Sequence, residues 1–289
     1  MPITLSPALA RRLALRGQGL DGSWMPDDGA EGVAQVVERL GHVQIDTIAV
    51  VERAHHHVIW SRHPTYRAEM LDTALSVERR VFEHWAHAAA YLPMSHYRYY
   101  LPKMRAHAER EATRRWLMEN AEVVAMVRRR IRDEGALGSA DFEAPEGFRR
   151  TGWWSWKPAK RALEILFATG ELLVSARKGF NRLYDLAERV LPPDVDTTMP
   201  DRDALGRFAV RRTLETMGVG TARDVAWGVT DVPTAEAALA AMSAAGEVVE
   251  VELGGARDKP YYALAAALDA PPDGALAPVL RVLSPFDNL

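Results

Sequence analysis

One order of secondary-structure signals occurs twice in the chain, and it limits the fold more than any other feature. In its second copy, a helix in "DRDALGRFAVRRTLETMG" precedes a short helix capped by Thr221 and a third helix in "TAEAALAAMSAAGE". The stretch "VVEVELGGARDKPYYAL" then predicts a β-hairpin. The two copies together predict two small units of one fold, arranged in series.

The first copy of this order lies in the middle of the chain. A long helix is predicted up to Gly135, followed by a short Ser-capped helix in "LGSADFE" and a helix from Pro158 to Gly170. The strands "ELLVSAR" and "NRLYDL" then enclose a turn at residues 178–180. This order is typical of winged-helix (helix-turn-helix) domains, whose hairpin is the wing. The sequence therefore predicts a mainly α fold with small β-hairpins (α+β), built from tandem winged-helix domains.

The N-terminal residues predict a related unit. A helix in "SPALARRLALRG" has Ser6 as its N-cap and Pro7 at its first position, and it ends near Gly17. A second helix, "GAEGVAQVVERLG", is followed by the strand-like run "HVQIDTIAVV". The second helix carries one apolar stripe, formed by Val33, Val36, Val37 and Leu40.

These signals divide the chain into five parts. In the second part, two or three helices are expected, broken at Pro93 and Pro102. A Pro- and Asp-rich stretch, residues 191–203, predicts an interdomain linker, and "APVLRVLSPF" predicts a final strand. The parts are an N-terminal unit, a helical segment, two winged helices and the start of a C-terminal region that is cut short: residues 1–65, 66–134, 135–195, 196–270 and 271–289.

Charge is divided unevenly along the 289 residues, although the net charge is only -3. Residues 51–150 and 151–190 each sum to +3, whereas residues 191–289 sum to -7. A basic face on part of an acidic protein is compatible with DNA binding. There is no cysteine, which excludes disulfides and thiol catalysis. No apolar run reaches the roughly 20 residues of a membrane span and no secretory leader is evident, so a cytoplasmic protein is expected.

Gln44 and Asp46 interrupt the apolar run Val43–Val51. Side chains two apart on a strand share a face, so these two polar groups are expected to point the same way. A carboxylate in apolar surroundings is costly unless something compensates for it, which marks Asp46 as a candidate functional residue. The alternative is that Asp46 caps the following helix and Gln44 lies on the surface.

All nine histidines fall between residues 42 and 107. Arg53 and Arg62 flank His55 and His56, and these four residues are candidates for contact with DNA phosphates or with a lesion near Asp46. The alternative is that the histidines pack in the core or are solvated. No Cys or acidic set completes a metal-ligand pattern, so no metal is expected.

Five basic residues fall where a winged helix meets DNA. Lys157, Lys160 and Arg161 open the third helix of the middle unit, the end that enters the groove, and Arg177 and Lys178 lie at the wing tip. The run "VRRRIR" reads instead as a solvated helix face. Trp60, Trp85 and Trp116 are predicted in helices, where the core is their usual place. Helical spacing would also put Glu83 and His87 on one face.

Three motifs together resemble the AlkZ/YcaQ family of winged-helix DNA glycosylases: "QIDTIAVVERAHHHVIWSRHPTY", "VFEHWAHAAAYLP" and the closing "LSPFDNL". The resemblance implies hydrolysis of the N-glycosidic bond of alkylated purines, and some members unhook interstrand crosslinks. The family's Gln-apolar-Gln or Gln-apolar-Asp motif falls on Gln44, Ile45 and Asp46, and the Asp form resembles the YcaQ branch. The resemblance also implies that Trp85 and His87 line the site. Longer members continue past "SPFDNL", so a shortened form or a fragment is expected.

The chemistry of such a reaction suits these residues. An alkylated purine is cationic and already a good leaving group, so the enzyme must stabilise an oxocarbenium-like sugar and deliver water from the opposite face. A carboxylate does both, which assigns Asp46 as electrostatic stabiliser and base, with Gln44 positioning the water. No cofactor is expected. The expected partner is double-stranded DNA with alkyl or crosslink lesions, bound by a monomer without membrane association.

The alternative function is a non-catalytic winged-helix DNA-binding protein or transcription regulator, since this fold often serves that role. Asp46 argues against a non-catalytic role, because a carboxylate beside the phosphate backbone would repel DNA and would have no catalytic use in such a protein.

Overall fold

The computed structural model describes residues 3–143, 157–254, 256–270 and 280–289. The helices are α1 Pro7–Gly17, α2 Gly29–Leu40, α3 Ala54–Trp60, α4 Ala68–Ser76, a 3₁₀ helix Met94–Tyr100, α5 Leu101–Glu109, α6 Glu111–Glu119, α7 Ala121–Glu134, α8 Pro158–Ala168, α9 Ala187–Val190, α10 Arg202–Met217, α11 Ala222–Ala226, α12 Val232–Ala244 and α13 Ala265–Asp269. The strands are β1 Ile3–Leu5, β2 Val43–Gln44, β3 Val81–Trp85, β4 Ala89–Pro93, β5 Leu172–Lys178, β6 Asn181–Leu186, β7 Val248–Leu253 and β8 Ala256–Leu264. The predicted α+β class is confirmed.

The first two helices follow their local signals. The Ser6 side chain accepts a hydrogen bond from the Leu9 backbone N–H at 3.1 Å, and Pro7 opens α1 as predicted. Helix α2 ends at Gly41, whose φ of 70° is the left-handed conformation that glycine adopts without strain. The apolar stripe of α2 is buried in the main core, so its amphipathic pattern is confirmed.

The two repeated units have the predicted hairpins and the helices that directly precede them. In the middle unit, α8 leads into the antiparallel pair β5–β6, with Gly179 and Phe180 as the turn. In the second unit, α10, α11 and α12 precede the antiparallel pair β7–β8. Thr221 and Asp224 form a capping box at the start of α11.

Residues 81–93 form a hairpin, so the helix predicted there is wrong. Strands β3 and β4 pair antiparallel, and the "VFEHW" sequence supplies the β-branched and aromatic residues that strands favour. Glu83 is therefore buried in a strand, whereas His87 lies in the turn, and the two do not share a helix face. Trp85 ends β3 with 42% of its surface exposed rather than packing in a helix.

Two further predicted elements are wrong. The stretch "LGSADFE" forms no helix: Leu137 pairs with Tyr184 of β6 through two backbone hydrogen bonds, and the Asp141 carboxylate accepts from the Gly138 N–H. In the predicted final strand, residues 280–286 are not a strand, and residues 277–279 lie outside those described.

Strand pairing joins parts of the chain that are far apart in sequence. Strand β1 runs parallel to β7 at the edge of the second hairpin. Strand β2 adds to the β3–β4 hairpin, giving the order β2–β4–β3. In that sheet, Gln44 is opposite Ala90, which is opposite His84, so these residues share one face, while Glu83 and Tyr91 share the other. Strand β2 ends at Gln44, so the predicted strand through Val51, with Gln44 and Asp46 on one strand face, is wrong, and Asp46 follows the strand.

Candidate active site

Gln44 is held by a histidine of the neighbouring turn. Its side-chain Oε1 accepts a hydrogen bond from His87 Nε2 at 3.0 Å. Partial burial, with the nearby charges of Arg212 and Lys103, lowers the pKa of His87. An amide oxygen only accepts, so Nε2 is the donor in this contact. The amide oxygen of Gln44 is thereby occupied, and its NH₂ group is the part left to bind a water or substrate.

Two aromatic rings hold His87 in this position. His42 contacts it edge-on and Trp227 at a tilt, each with ring centroids 4.9 Å apart. His42 Nδ1 accepts a hydrogen bond from Arg212 Nη2 at 3.0 Å, and burial lowers its pKa to about 3. Sequence reasoning missed both rings. The strand alternation placing His42 two residues before Gln44 is a signal for the first, whereas Trp227 comes from the second winged-helix unit and has no local signal.

Asp46 lies just beyond β2, half-buried, where the chain leaves the sheet. Its Oδ1 accepts from the Ile48 backbone N–H at 3.1 Å, forming a turn of the Asx type. Helix α3 begins eight residues later with Arg53 as its N-cap, so the alternative that Asp46 caps this helix is wrong. Within the described part of the chain, no ion pair or further hydrogen bond engages the Asp46 carboxylate, which leaves Oδ2 available.

His55 contacts the backbone at Asp46, whereas His56 contacts Tyr66. His55 Nδ1 accepts a hydrogen bond from the Asp46 backbone N–H at 3.4 Å, and burial lowers its pKa to about 3, so it is neutral. The His56 Nδ1 lies 2.6 Å from the Tyr66 hydroxyl. His55 is buried against Tyr91 and does not face solvent, so the structure favours packing over phosphate contact for it.

Arg62 does not belong to an exposed DNA-binding surface. Its guanidinium is buried and forms two 2.8 Å hydrogen bonds with the Asp287 carboxylate, and it also donates to the Gln18 backbone oxygen at 2.7 Å. The predicted phosphate contact is therefore incompatible with its burial. Asn288, which follows Asp287, donates from Nδ2 to the His42 backbone oxygen at 3.0 Å. The "SPFDNL" segment thus fastens the chain end beside the candidate motif.

A cationic cluster surrounds Phe180 at the turn of the β5–β6 wing. The guanidinium carbons of Arg53 and Arg177 lie 4.1 and 4.6 Å from the Phe180 ring centroid, so both form cation–π contacts with this ring. Arg177 also donates to both carboxylate oxygens of Glu83, at 2.5 and 2.8 Å, and Lys178 beside it is exposed. Phe180 itself was not foreseen from sequence.

The three basic residues at the start of α8 have different surroundings. Lys157 donates from Nζ to the Phe142 backbone oxygen at 3.1 Å, and Arg161 is exposed. Lys160 borders a cavity of about 380 Å³ that Trp85 and Phe180 also line. The tryptophan-rich stretch at 151–156, which precedes these residues, lies outside the described part.

Comparison with known proteins matches residues 37–289 to the model of a family described as "DNA glycosylase AlkZ-like". The chain belongs to the AlkZ-like DNA glycosylase family. Its structure is similar to that of Streptomyces sahachiroi DNA glycosylase AlkZ, with a TM-score of 0.68 and 19% sequence identity, over 99% of this chain and 77% of that one. The likeness shows the same fold.

As an AlkZ-like family member, the protein is a DNA N-glycosylase that acts on DNA in repair. The alternative of a non-catalytic regulator is set aside, because the matched family is one of enzymes. In the described ranges, no cluster of three or more His, Cys, Asp or Glu residues is placed to hold a metal ion. None of the helices in those ranges has the length and apolar character to cross a membrane.

Proposed function

We propose that this DNA glycosylase hydrolyses the N-glycosidic bond of alkylated purines, with Asp46 and Gln44 as its catalytic residues. Water attacks C1′ of the sugar as the C1′–N bond breaks, and the bonding electrons leave with the cationic purine, which becomes neutral. Asp46 stabilises the positive charge developing on the sugar and accepts the proton from the water. Gln44 fixes the position of that water through its NH₂ group.

The observation that carries this proposal is that supporting hydrogen bonds already hold the Gln44 and Asp46 side chains in place. His87 occupies the Gln44 oxygen at 3.0 Å, which leaves the amide NH₂ to bind the water, and the Asp46 turn uses only one carboxylate oxygen. A polar pair whose supporting contacts are already made loses little freedom when the substrate binds.

Interstrand crosslinks are included in the proposed substrates. Residues 47–51, which directly follow Asp46, are all exposed, so the motif lies at the protein surface. A crosslinked purine is tethered to the opposite strand, and a site at the surface can meet it without drawing it into a closed pocket.

The test is base release from a duplex containing N7-methylguanine, measured as alkali-labile strand breaks. Asp46→Asn should lower the single-turnover rate on the order of 10² to 10⁴-fold, because it removes the base and the stabilising charge. The matched control is Asp203→Asn on the exposed first turn of α10, which should retain the wild-type rate. Equal rates for wild type and Asp46→Asn would refute the assignment. The same comparison on a crosslinked duplex tests unhooking.

A further inference from the structure

The segment that follows Asp46 exposes large apolar side chains. Ile48, Val50 and Val51 have 67%, 90% and 89% of their surface exposed. Single exposed apolar residues are common, but a contiguous run of them marks a contact surface. We refer to Ile48–Val51 as the apolar loop.

Local contacts give this loop a defined shape. The Ile48 backbone N–H donates to Asp46 Oδ1, and Ala49 pairs with Arg53 across the loop in an antiparallel bridge. Glu52, the acidic residue at its end, turns back to accept from the Arg53 N–H at 2.9 Å. The apolar side chains therefore project from a closed loop instead of lying on a frayed segment.

The base of the loop is cationic. Arg53 stacks on Phe180, and Lys178 at the wing tip is exposed, whereas Arg177, which also contacts the ring, is enclosed by its pairing with Glu83. This arrangement suits duplex DNA. The apolar tip can contact the stacked bases, while the cationic side chains at its base can contact the phosphates. A partner protein binding an apolar tip would not by itself require cationic side chains at the base of the loop.

The chain itself limits where the tip lies during catalysis. One residue spans at most about 3.6 Å, so Val50 is within roughly 14 Å of Asp46 along the chain. Bases in one strand rise by about 3.4 Å per step, so this reach corresponds to about four base steps. When Asp46 meets the sugar of the lesion, the apolar loop is therefore within reach of the neighbouring base stack.

We propose that the apolar loop is a wedge that enters the duplex beside the lesion and unstacks it, which opens the glycosidic bond to Asp46. The inference rests on the proposed role of Asp46. Apolar wedge residues at DNA-bending proteins act in this way, and the energy spent on unstacking is recovered through added contacts. Val50 and Val51 are the residues most able to enter, because both are almost fully exposed.

The experiment separates unstacking from chemistry by using two readouts. The probe is a duplex with 2-aminopurine next to N7-methylguanine, whose fluorescence rises when the base stack opens. In an Asp46→Asn background, the fluorescence should still rise on binding, whereas adding Val50→Asn and Val51→Asn should abolish the rise. The control is Val77→Asn, an exposed valine at the end of α4, which should leave the rise intact.

The second readout is base release by proteins that retain Asp46. The Val50→Asn/Val51→Asn double variant should be at least about tenfold slower than wild type on duplex, because it cannot open the stack. On single-stranded DNA with the same lesion, its rate should be within about twofold of wild type, since no stack must be opened. Val50→Leu, which keeps an apolar tip, should retain the duplex rate.

The outcomes are distinguishable. An unchanged duplex rate or fluorescence rise in the double variant overturns the wedge. An equal loss on single-stranded DNA also overturns it, because the loop would then support the chemistry itself. Self-association of the wild-type protein that the double variant abolishes, with unstacking unaffected, would instead assign the loop to a second copy. Full activity of Asp46→Asn would refute the proposed function, whatever the loop does.

Discussion

Two glutamates in this protein each hold two arginines, one at each winged-helix hairpin. Glu83 of β3 pairs with Arg177 and Arg182 of the first wing, at 2.5 and 2.9 Å. Glu247, just before β7, pairs with Arg207 and Arg211 of α10. The Glu83 side chain is completely enclosed, whereas that of Glu247 is 32% exposed.

Because Glu83 is buried and Glu247 is partly exposed, their similar ion pairs with two arginines have different roles. A buried carboxylate depends on its arginines because water cannot replace them, whereas an exposed one is solvated whether or not it is paired. Glu83 comes from the sheet that carries Gln44, so its pairs fix the first wing, with Phe180, against the candidate active site. Glu247 only joins two elements of its own unit. The second hairpin instead receives β1 on its edge.

The largest expected effect comes from removing the enclosed carboxylate. Glu83→Ala should lower the free energy of unfolding by about 3–5 kcal/mol, because it leaves two arginines without their buried partner. Chemical denaturation measures this, and Glu247→Ala is the matched control, for which we expect a clearly smaller loss. Equal losses in the two variants would show that burial does not distinguish the ion pairs of Glu83 from those of Glu247.

A similar loss is expected at the second enclosed pair. Asp287→Ala leaves Arg62 buried and unpaired, which should cost about 3 kcal/mol and loosen the segment that contacts His42. The exposed pair of Arg105 and Glu109 on α5 is the comparison, since Glu109→Ala should cost under about 0.5 kcal/mol. An Asp287→Ala loss as small as that would show that the chain end is not fastened through this pair.

Acid should weaken the N-terminal part before the second unit. Burial lowers the pKa of His42, His55 and His96 to about 3 and that of His84 to about 4, so the folded state keeps these rings neutral. The unfolded chain takes up protons near pH 6.5, so this contribution is full above that pH and is lost as the pH falls. The loss should be roughly 0.7 kcal/mol per imidazole between pH 7 and pH 6.

Thermal unfolding as a function of pH measures this effect. The carboxylate of Glu247 does not contribute in the same window, because hydrogen bonds from Arg211 and Arg207 lower its pKa below 4.5 and its stabilisation is lost only in more acid solution. A melting temperature that stays constant between pH 7 and pH 5 would contradict the neutral, buried histidines.

The smallest expected effect concerns salt. Because Glu247 is partly exposed, its pairs are screened by ions, and the difference between wild type and Glu247→Ala should shrink as salt is raised to 1 M. The difference for Glu83→Ala should persist under the same conditions. Parallel denaturation series at low and high salt give both values.

Much of the fold could be predicted because its signals are local. Ser6 and Pro7 start α1, the apolar stripe defines α2, and the turn at Gly179 divides the first wing, each from residues close in sequence. The hairpin at 81–93 was missed because short apolar runs fit a helix or a strand equally well, and its pairing with β2 decides between them.

The candidate site was only partly predictable. Gln44 and Asp46 stand out as polar residues in an apolar run, and the motif resemblance assigns them a role. That His87 would bind Gln44 depends on a turn that brings residues 43 positions apart together. Arg62 was misread because a lone arginine in sequence does not reveal whether it will be solvated or enclosed.

The sequence by itself determined the start of α1, the apolar stripe of α2, the two wing hairpins, the family motifs and the division of charge, because caps, periodicity and turns act over a few residues. The tertiary structure alone decided which charges are enclosed. Arg62 meets Asp287 across 225 positions, and Glu83 meets Arg177 across 94. Such contacts depend on the complete packing of the chain, and burial then sets how strongly each charge acts.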